Sequence, residues 1–275
     1  MKVGLKIFCA GYCTHPEFIV IKGGRRKSVN IPALFALIQH PTQGHILFDT
    51  GYHPRFYDAS KKFPYSIYAA ITPVYCKENE SAAQQLAASG IDPDSIQTII
   101  VSHFHADHIA GLKDFPNAKF IYLKEAYEAV RGKTGFAAVK LGYLPDLLPN
   151  DFEQRSQVID EESVIQLGED DQPFSQGFDV FGDESLIVVE LPGHAHGQIG
   201  IFLTDQNNQS VFLAADACWY SEAYRTLRFP HPLANLALAD KKAYRVTLKK
   251  LHQLHQRRPE VWIVPSHCPE IMERS

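Results

Sequence analysis

The chain has 275 residues, 45% of them hydrophobic and 21% charged, with a net charge of −4. That length suits one large layered α/β unit with a substantial core, and the composition is that of an ordinary globular protein. The negative balance argues against a nucleic-acid partner, and no run of about 18 apolar residues marks a membrane span. The opening Met1-Lys2-Val3-Gly4-Leu5-Lys6 has neither a long apolar stretch nor a small-residue cleavage site. The five cysteines (Cys9, Cys13, Cys76, Cys218 and Cys268) are odd in number and irregularly spaced. Both features predict a cytoplasmic chain with reduced thiols.

Alternation of Val3, Leu5 and Ile7 predicts a first strand. Phe18-Ile19-Val20-Ile21 and residues 33–38 read as further strands, with Gly23-Gly24 as a turn. The basic residues between Lys22 and Lys27 read as a solvated loop. Together with 46–48 these strands make the first of two sheets. Residues 52–80 are rich in prolines and aromatics without a strict period, which predicts a loop packed by its own side chains. Phe63, Tyr65 and Tyr68 in that loop are candidates for the apolar wall of a ligand pocket.

Residues 81–89 read as a helix closed by Gly90 that feeds a strand over 97–102. A strand at 119–123 and a helix at 124–131 continue the β–α alternation that layers helices onto sheets. Residues 132–185 carry many Gly, Pro and acidic residues, and only a strand near 164–167 is predicted there. This segment and 52–80 read as loop insertions in a single domain spanning 1–275. Strands at 186–191, 199–204 and 210–215 follow. A helix from about Asp240 to Gln256 comes next, with Asp240 as N-cap and Tyr244, Leu248, Leu251 and His255 on one face. His252 and His255 read as surface or interface residues of that helix. Two strand blocks, 1–50 and 97–267, predict two mixed sheets face to face with helices outside.

The chemistry is concentrated after the apolar run Ile99-Ile100-Val101, where Ser102-His103-Phe104-His105-Ala106-Asp107-His108 places three imidazoles and a carboxylate within six positions. Imidazole nitrogen and carboxylate oxygen are the donors that borderline cations such as zinc take. Three more donors each follow an apolar run: His194 in Leu191-Pro192-Gly193-His194, Asp216 after Val211–Ala215, and His267 after Val261–Ser266. Upstream, His45-Ile46-Leu47-Phe48-Asp49-Thr50-Gly51 is another strand ending in a carboxylate.

These five segments resemble the metallo-β-lactamase superfamily of metal-dependent hydrolases. The resemblance implies an α/β four-layer αββα sandwich and two divalent metal ions, zinc first, with iron or manganese as alternatives. It assigns His103, His105 and His194 to one ion, Asp107, His108 and His267 to the other, and Asp216 to a position between them. Asp49 supports a ligand imidazole from behind. Two divalent ions about 3.5–4 Å apart bring the pKa of a shared water toward neutrality, which supplies a nucleophile near pH 7.

Within the superfamily the pattern is most similar to N-acyl homoserine lactonases, which implies opening of a lactone or ester. Asp107, besides its ligand role, is a candidate to pass a proton to the leaving oxygen. Those lactonases carry a tyrosine three residues after the bridging Asp. Here Trp219 holds that place with Tyr220 next, so Tyr220 is the candidate to serve the substrate carbonyl, and Trp219 and Tyr220 join the apolar wall. A thioesterase or phosphodiesterase of the same superfamily is the alternative, and a metal-bound sensor without turnover is the alternative of another class. The expected partner is a small molecule, and the expected assembly a monomer or homodimer.

Overall fold

Two long strands, β1 (Gly4–Pro16) and β2 (Ser28–His40), pair antiparallel and form the spine of the first sheet. In β2, Leu34, Ala36 and Ile38 point to one side, whereas Phe35 and Leu37 point to the other. Both faces are therefore apolar, and both must be covered. The computed structural model, which describes residues 1–159 and 163–274, shows how.

The first sheet adds β3 (Gly44–Phe48), β4 (Val74–Tyr75), β5 (Thr98–Ile100), β6 (Lys119–Tyr122) and β7 (Ser156–Val158), in the order β4-β1-β2-β3-β5-β6-β7. The second contains β8 (Val164–Gln166), β9 (Gln176–Asp179), β10 (Ile187–Glu190), β11 (Ile199–Thr204), β12 (Ser210–Ala215) and β13 (Trp262–Pro265), in the order β13-β12-β11-β10-β9-β8. Three buried apolar clusters separate four layers. One joins the inner faces of the two sheets, for example Ala36, Ile46 and Ile100 with Val188, Ile201 and Leu213. A second lies between the first sheet and its outer helices. The third lies between the second sheet and the C-terminal helix. The expected αββα sandwich is what forms.

Four sequence expectations change. Phe18–Ile21 is not a strand: Glu17–Val20 is a single helical turn. The β1–β2 pairing runs out to Pro16 opposite Ser28, so the intervening residues must turn the chain rather than extend it. The turn is tied by Arg25, whose Nε and Nη2 donate to Glu17 at 2.8 and 2.9 Å. The strand bearing the histidine motif joins the N-terminal sheet rather than the later block. β5 pairs parallel with β3, with Phe48 opposite Ile100, and thereby sets Asp49 beside the start of the motif. Strand order within a sheet is a matter of crossover path, which periodicity does not encode.

Residues 52–80 contain the helices Arg55–Ala59 and Tyr65–Ile71 besides β4. Their prolines, Pro54 and Pro64, stand at the helix starts, where a missing N–H breaks no helical bond. Residues 132–185 likewise hold the helix Gly135–Lys140 and β7 to β9, of which only β8 is legible beforehand.

The C-terminal helix, Lys241–Arg257, begins as its sequence predicts, with Asp240 Oδ1 accepting from the Lys242 and Ala243 amides at 2.7 and 3.1 Å. Tyr244, Leu248 and Leu251 are buried with Thr247 and Leu254. His255 lies at the edge of this face, its ring 5.3 Å from that of Tyr224.

Candidate metal centre

Every candidate ligand leaves the end of a strand on one rim of the sandwich. Asp49 follows β3, Ser102 and His103 follow β5, Asp216 follows β12 directly, and His267 comes two residues after β13. His194 lies in the loop between β10 and β11. After His105 the chain turns into the short helix Ala106–Ile109, which carries Asp107 and His108 on its first turn. Thr50 straps that helix to the β3 end: its amide and Oγ1 both donate to the His108 carbonyl at 2.9 Å, and Oγ1 accepts from Gly111 N at 3.1 Å.

The seven side chains converge into three overlapping groups, His103–His105–His194, His103–His108–Asp216 and Asp107–His108–His267, with ligand atoms within 4.8 Å of one another in each. Asp216 sits between the sets. Its Oδ2 lies 3.2 Å from His194 Nε2 and 3.0 Å from His267 Nε2, and its Oδ1 lies 3.4 Å from His108 Nε2. Asp107 Oδ2 is 3.3 Å from His267 Nε2. Ala215, at φ 44°, turns the chain off the strand line just before Asp216. A non-glycine residue held in that region costs on the order of 1–3 kcal/mol, which the surrounding core must offset.

Three imidazoles are oriented from behind. His108 Nδ1 donates to Asp49 Oδ2 at 2.8 Å, and His267 Nδ1 donates to the Pro32 carbonyl at 2.6 Å. Ser102 Oγ donates to Asp49 Oδ2 at 2.7 Å and accepts from His103 Nδ1 at 3.0 Å. With Nδ1 protonated in each case, the Nε2 lone pair faces the shared space. His103 Nε2, His108 Nε2 and Asp216 Oδ1 are buried there without a hydrogen-bond partner among the described residues. Buried polar atoms are rarely left so, and several aimed at one point are a cation's donor set. The residues fit two divalent ions.

The electrostatics agree. Burial, reinforced by the neighbouring imidazoles, holds His103 well below the ordinary histidine range. Burial also pulls His105 down to about 4 and His194 to about 3, against the pull of Asp216 and, for His105, Asp107. His108 goes the other way. Burial opposes its charge, but Asp49, Asp107 and Asp216 raise it to about 10. His267 is raised for the same reason, against its burial, by Asp216 and Asp107. Burial thus holds three of the imidazoles neutral, the form that binds a cation, while the carboxylates favour a positive charge at His108 and His267.

Trp219 and Tyr220 part company. The Trp219 indole N–H donates to Asp216 Oδ2 at 3.2 Å. The Tyr220 hydroxyl makes no hydrogen bond to the seven among the described residues; burial, then Glu17, pushes its pKa well up. The aromatic segment is also divided. Tyr68 is buried, and after burial itself the Asp107 carboxylate is the largest influence raising its hydroxyl. Tyr65 instead accepts from the Gly135 amide at 2.9 Å, and Phe63, 71% exposed, stacks edge-on against Phe136 at 5.4 Å. Sequence reasoning misses Ser102 as a bridge, the Pro32 carbonyl and Gly142. A side chain on Gly142, at φ +61°, would place its Cβ 2.7 Å from His105 Cδ2. Ser102 stands inside the motif itself; nothing in the sequence marks the other two.

The family model for the metallo-beta-lactamase superfamily matches residues 32–267. The chain belongs to that superfamily. Among metallo-beta-lactamase relatives, it is 27% identical over 220 residues to N-acyl homoserine lactonase AttM of Azorhizobium caulinodans, covering 79% of this chain and 76% of the relative. It is 24% identical over 249 residues to a probable metallo-hydrolase of Mycobacterium tuberculosis, covering 86% and 75%. A solved N-acyl homoserine lactone hydrolase, with N-hexanoyl-L-homoserine bound at its catalytic metal centre, superposes with a TM-score of 0.76 at 20% identity, covering 100% of this chain and 97% of that one. The dizinc quorum-quenching lactonase AidC superposes with a TM-score of 0.66 at 17% identity, covering 98% and 88%. The metallo-beta-lactamase fold is thus shared along the whole chain, and the protein is a metal-dependent hydrolase.

One consequence concerns Asp49. It holds His108 and, through Ser102, His103, but faces no open donor position of its own. Asp49→Ala should weaken metal affinity by roughly ten- to a hundredfold while leaving all seven donors in place. Titration of the apo protein with zinc reads this directly, and unchanged affinity would remove the supporting role.

Proposed function

We propose that this protein opens a lactone or ester, with N-acyl homoserine lactone the first substrate to test, at a centre of two divalent ions, zinc first. The observation that supports the dinuclear reading is Asp216, whose Oδ2 lies between His194 of one donor set and His267 of the other, with Oδ1 toward His108. His103, His105 and His194 would hold one ion, and Asp107, His108 and His267 the other. When bound, such a pair supplies a water acidified toward neutrality and an electrophile for the carbonyl. The lactone preference is supported by the lactonase relatives.

The chain's residues do the rest. Asp49, Ser102 and the Pro32 carbonyl keep three imidazoles in one tautomer, so donors need no reorganisation during the reaction. Asp107 lies at the edge of the cluster with a carboxylate oxygen beside His267, placed to take a proton and pass it to the leaving oxygen. Trp219 fixes the Asp216 carboxylate through its N–H. Tyr220, the next residue, is the donor proposed for the substrate carbonyl.

A panel of metal-loaded assays tests the reading: hexanoyl homoserine lactone, simple lactones, aryl esters, a glutathione thioester, a phosphodiester and a cephalosporin. A lactone or ester should rank first in kcat/KM. A thioester or phosphodiester about tenfold above every lactone and ester would replace this reading, and no turnover of any member would favour the sensor.

A further inference from the structure

A cavity of about 320 Å³ opens directly on the metal side of the sandwich, with His105 and His194 among its lining residues. Its apolar surface comes from Phe104, Val130, Leu141, Leu236 and Leu238. Phe104 comes from the histidine motif and the others from segments distant in sequence: the helix Lys124–Val130, the helix Gly135–Lys140 with the residue after it, and the stretch just before Asp240. None of the aromatic candidates Phe63, Tyr65, Tyr68, Trp219 or Tyr220 lines it.

The charge of this lining is one-sided. Lys133 and Lys140 both line the cavity, and no aspartate or glutamate does. Neither lysine has an ion-pair partner among the described residues, in a chain whose net charge is −4. The acidic residues of the flanking segments have other partners: Glu125 lies 3.6 Å from His196 at the cavity's edge, Glu128 lies 3.7 Å from Lys124, and Asp240 caps the C-terminal helix. A concave apolar surface with two free ammonium groups and no carboxylate complements an apolar arm that ends in an anion.

We propose that the cavity beside His105 and His194 binds the acyl arm of the substrate and that Lys133 and Lys140 select an arm bearing a carboxylate or another anionic group. This rests on the proposed hydrolysis for the word substrate, but the site itself is a property of the cavity. A plain aliphatic arm fills the apolar part and leaves both ammonium groups without a partner. An arm with a terminal carboxylate gains a charge-assisted contact with one or both exposed ammonium groups at the cavity's rim.

The test is a calorimetric titration of the zinc-loaded protein with straight-chain monoacids and the diacids of equal length, from four to eight carbons. Each monoacid and diacid pair shares one carboxylate and the chain length, so the comparison isolates the second carboxylate. At least one diacid should bind about tenfold more tightly than its monoacid, with an advantage that shrinks as salt is raised. The advantage should vanish in the Lys133→Gln/Lys140→Gln double variant, whose two sites are exposed. Equal affinity at every length, or an advantage that survives in the double variant, overturns the proposal. Cleavage of esters without any diacid preference sinks this inference alone; diacid preference without turnover of any lactone or ester sinks the hydrolytic reading alone.

Discussion

Asp216→Ala should cut kcat/KM by about a thousandfold or more and lower the metal content of the purified protein. The change removes the one carboxylate that faces both donor sets, with contacts of 3.0 to 3.4 Å to His267, His194 and His108. Metal stabilisation of developing charge is worth several kcal/mol, and about 4 kcal/mol corresponds to a thousandfold in rate. The same change strips the Trp219 N–H of its acceptor, so Asp216→Asn, of nearly the same shape, serves as the companion variant. It should fold like the parent, by circular dichroism, and still lose metal. Metal analysis after chelator-free purification reads both variants. Full metal occupancy in either would move the dinuclear centre away from Asp216.

Gly193→Ala should destabilise the fold by about 3–5 kcal/mol, combining overpacking with the cost of a forbidden backbone region. Gly193 has φ +127°, and a Cβ there would lie 2.0 Å from Tyr244 N and 2.3 Å from Tyr244 Cα. Both are backbone atoms of the C-terminal helix, so no side chain can swing aside. The loop has no slack either: Gly193 O accepts from Asp240 N at 2.9 Å and His194 O from Ala239 N at 3.0 Å. For a chain of this size the loss corresponds to a fall in Tm on the order of 10 °C. Because the residue precedes His194, metal affinity should fall as well. A thermal melt within about 2 °C of the parent would show that the helix yields more readily than this packing implies.

The two changes sit at different levels of legibility. Asp216 stands out in the sequence because a lone carboxylate ends the apolar run Val211–Ala215, and an apolar strand has no structural use for it. His103, His105, Asp107 and His108 stand out for the same reason, more strongly, because they crowd one strand end. The strands themselves are legible where both faces are covered, as in β2 and β12, since continuous apolar runs are what buried strands need. The C-terminal helix is legible from its cap and its stripe. Where the reading slips, local pattern carries no information about what lies opposite. Phe18–Ile21 has strand-like residues but stands at a hairpin end that leaves room for only one helical turn. The helices within 52–80 hide behind prolines that begin them rather than break them.

What the sequence by itself determines is the inventory: seven donors at strand ends and a carboxylate at Asp49, in a pattern whose resemblance to the metallo-beta-lactamase superfamily implies the αββα sandwich. Those features are local, a donor type following an apolar run, and each is readable within about ten residues. Tertiary structure alone decides how the inventory is used. Parallel pairing of β3 with β5 carries Asp49 to His108 and Ser102 across more than fifty residues, and the return of β13 beside β12 hands His267 the Pro32 carbonyl. It turns Trp219, not Tyr220, onto Asp216. It also builds the cavity of Lys133 and Lys140 from segments about a hundred residues apart, which no spacing rule connects. The physical reason is common to all of these: periodicity reports whether a side chain is buried, whereas which partner it meets there depends on strand order and crossover path.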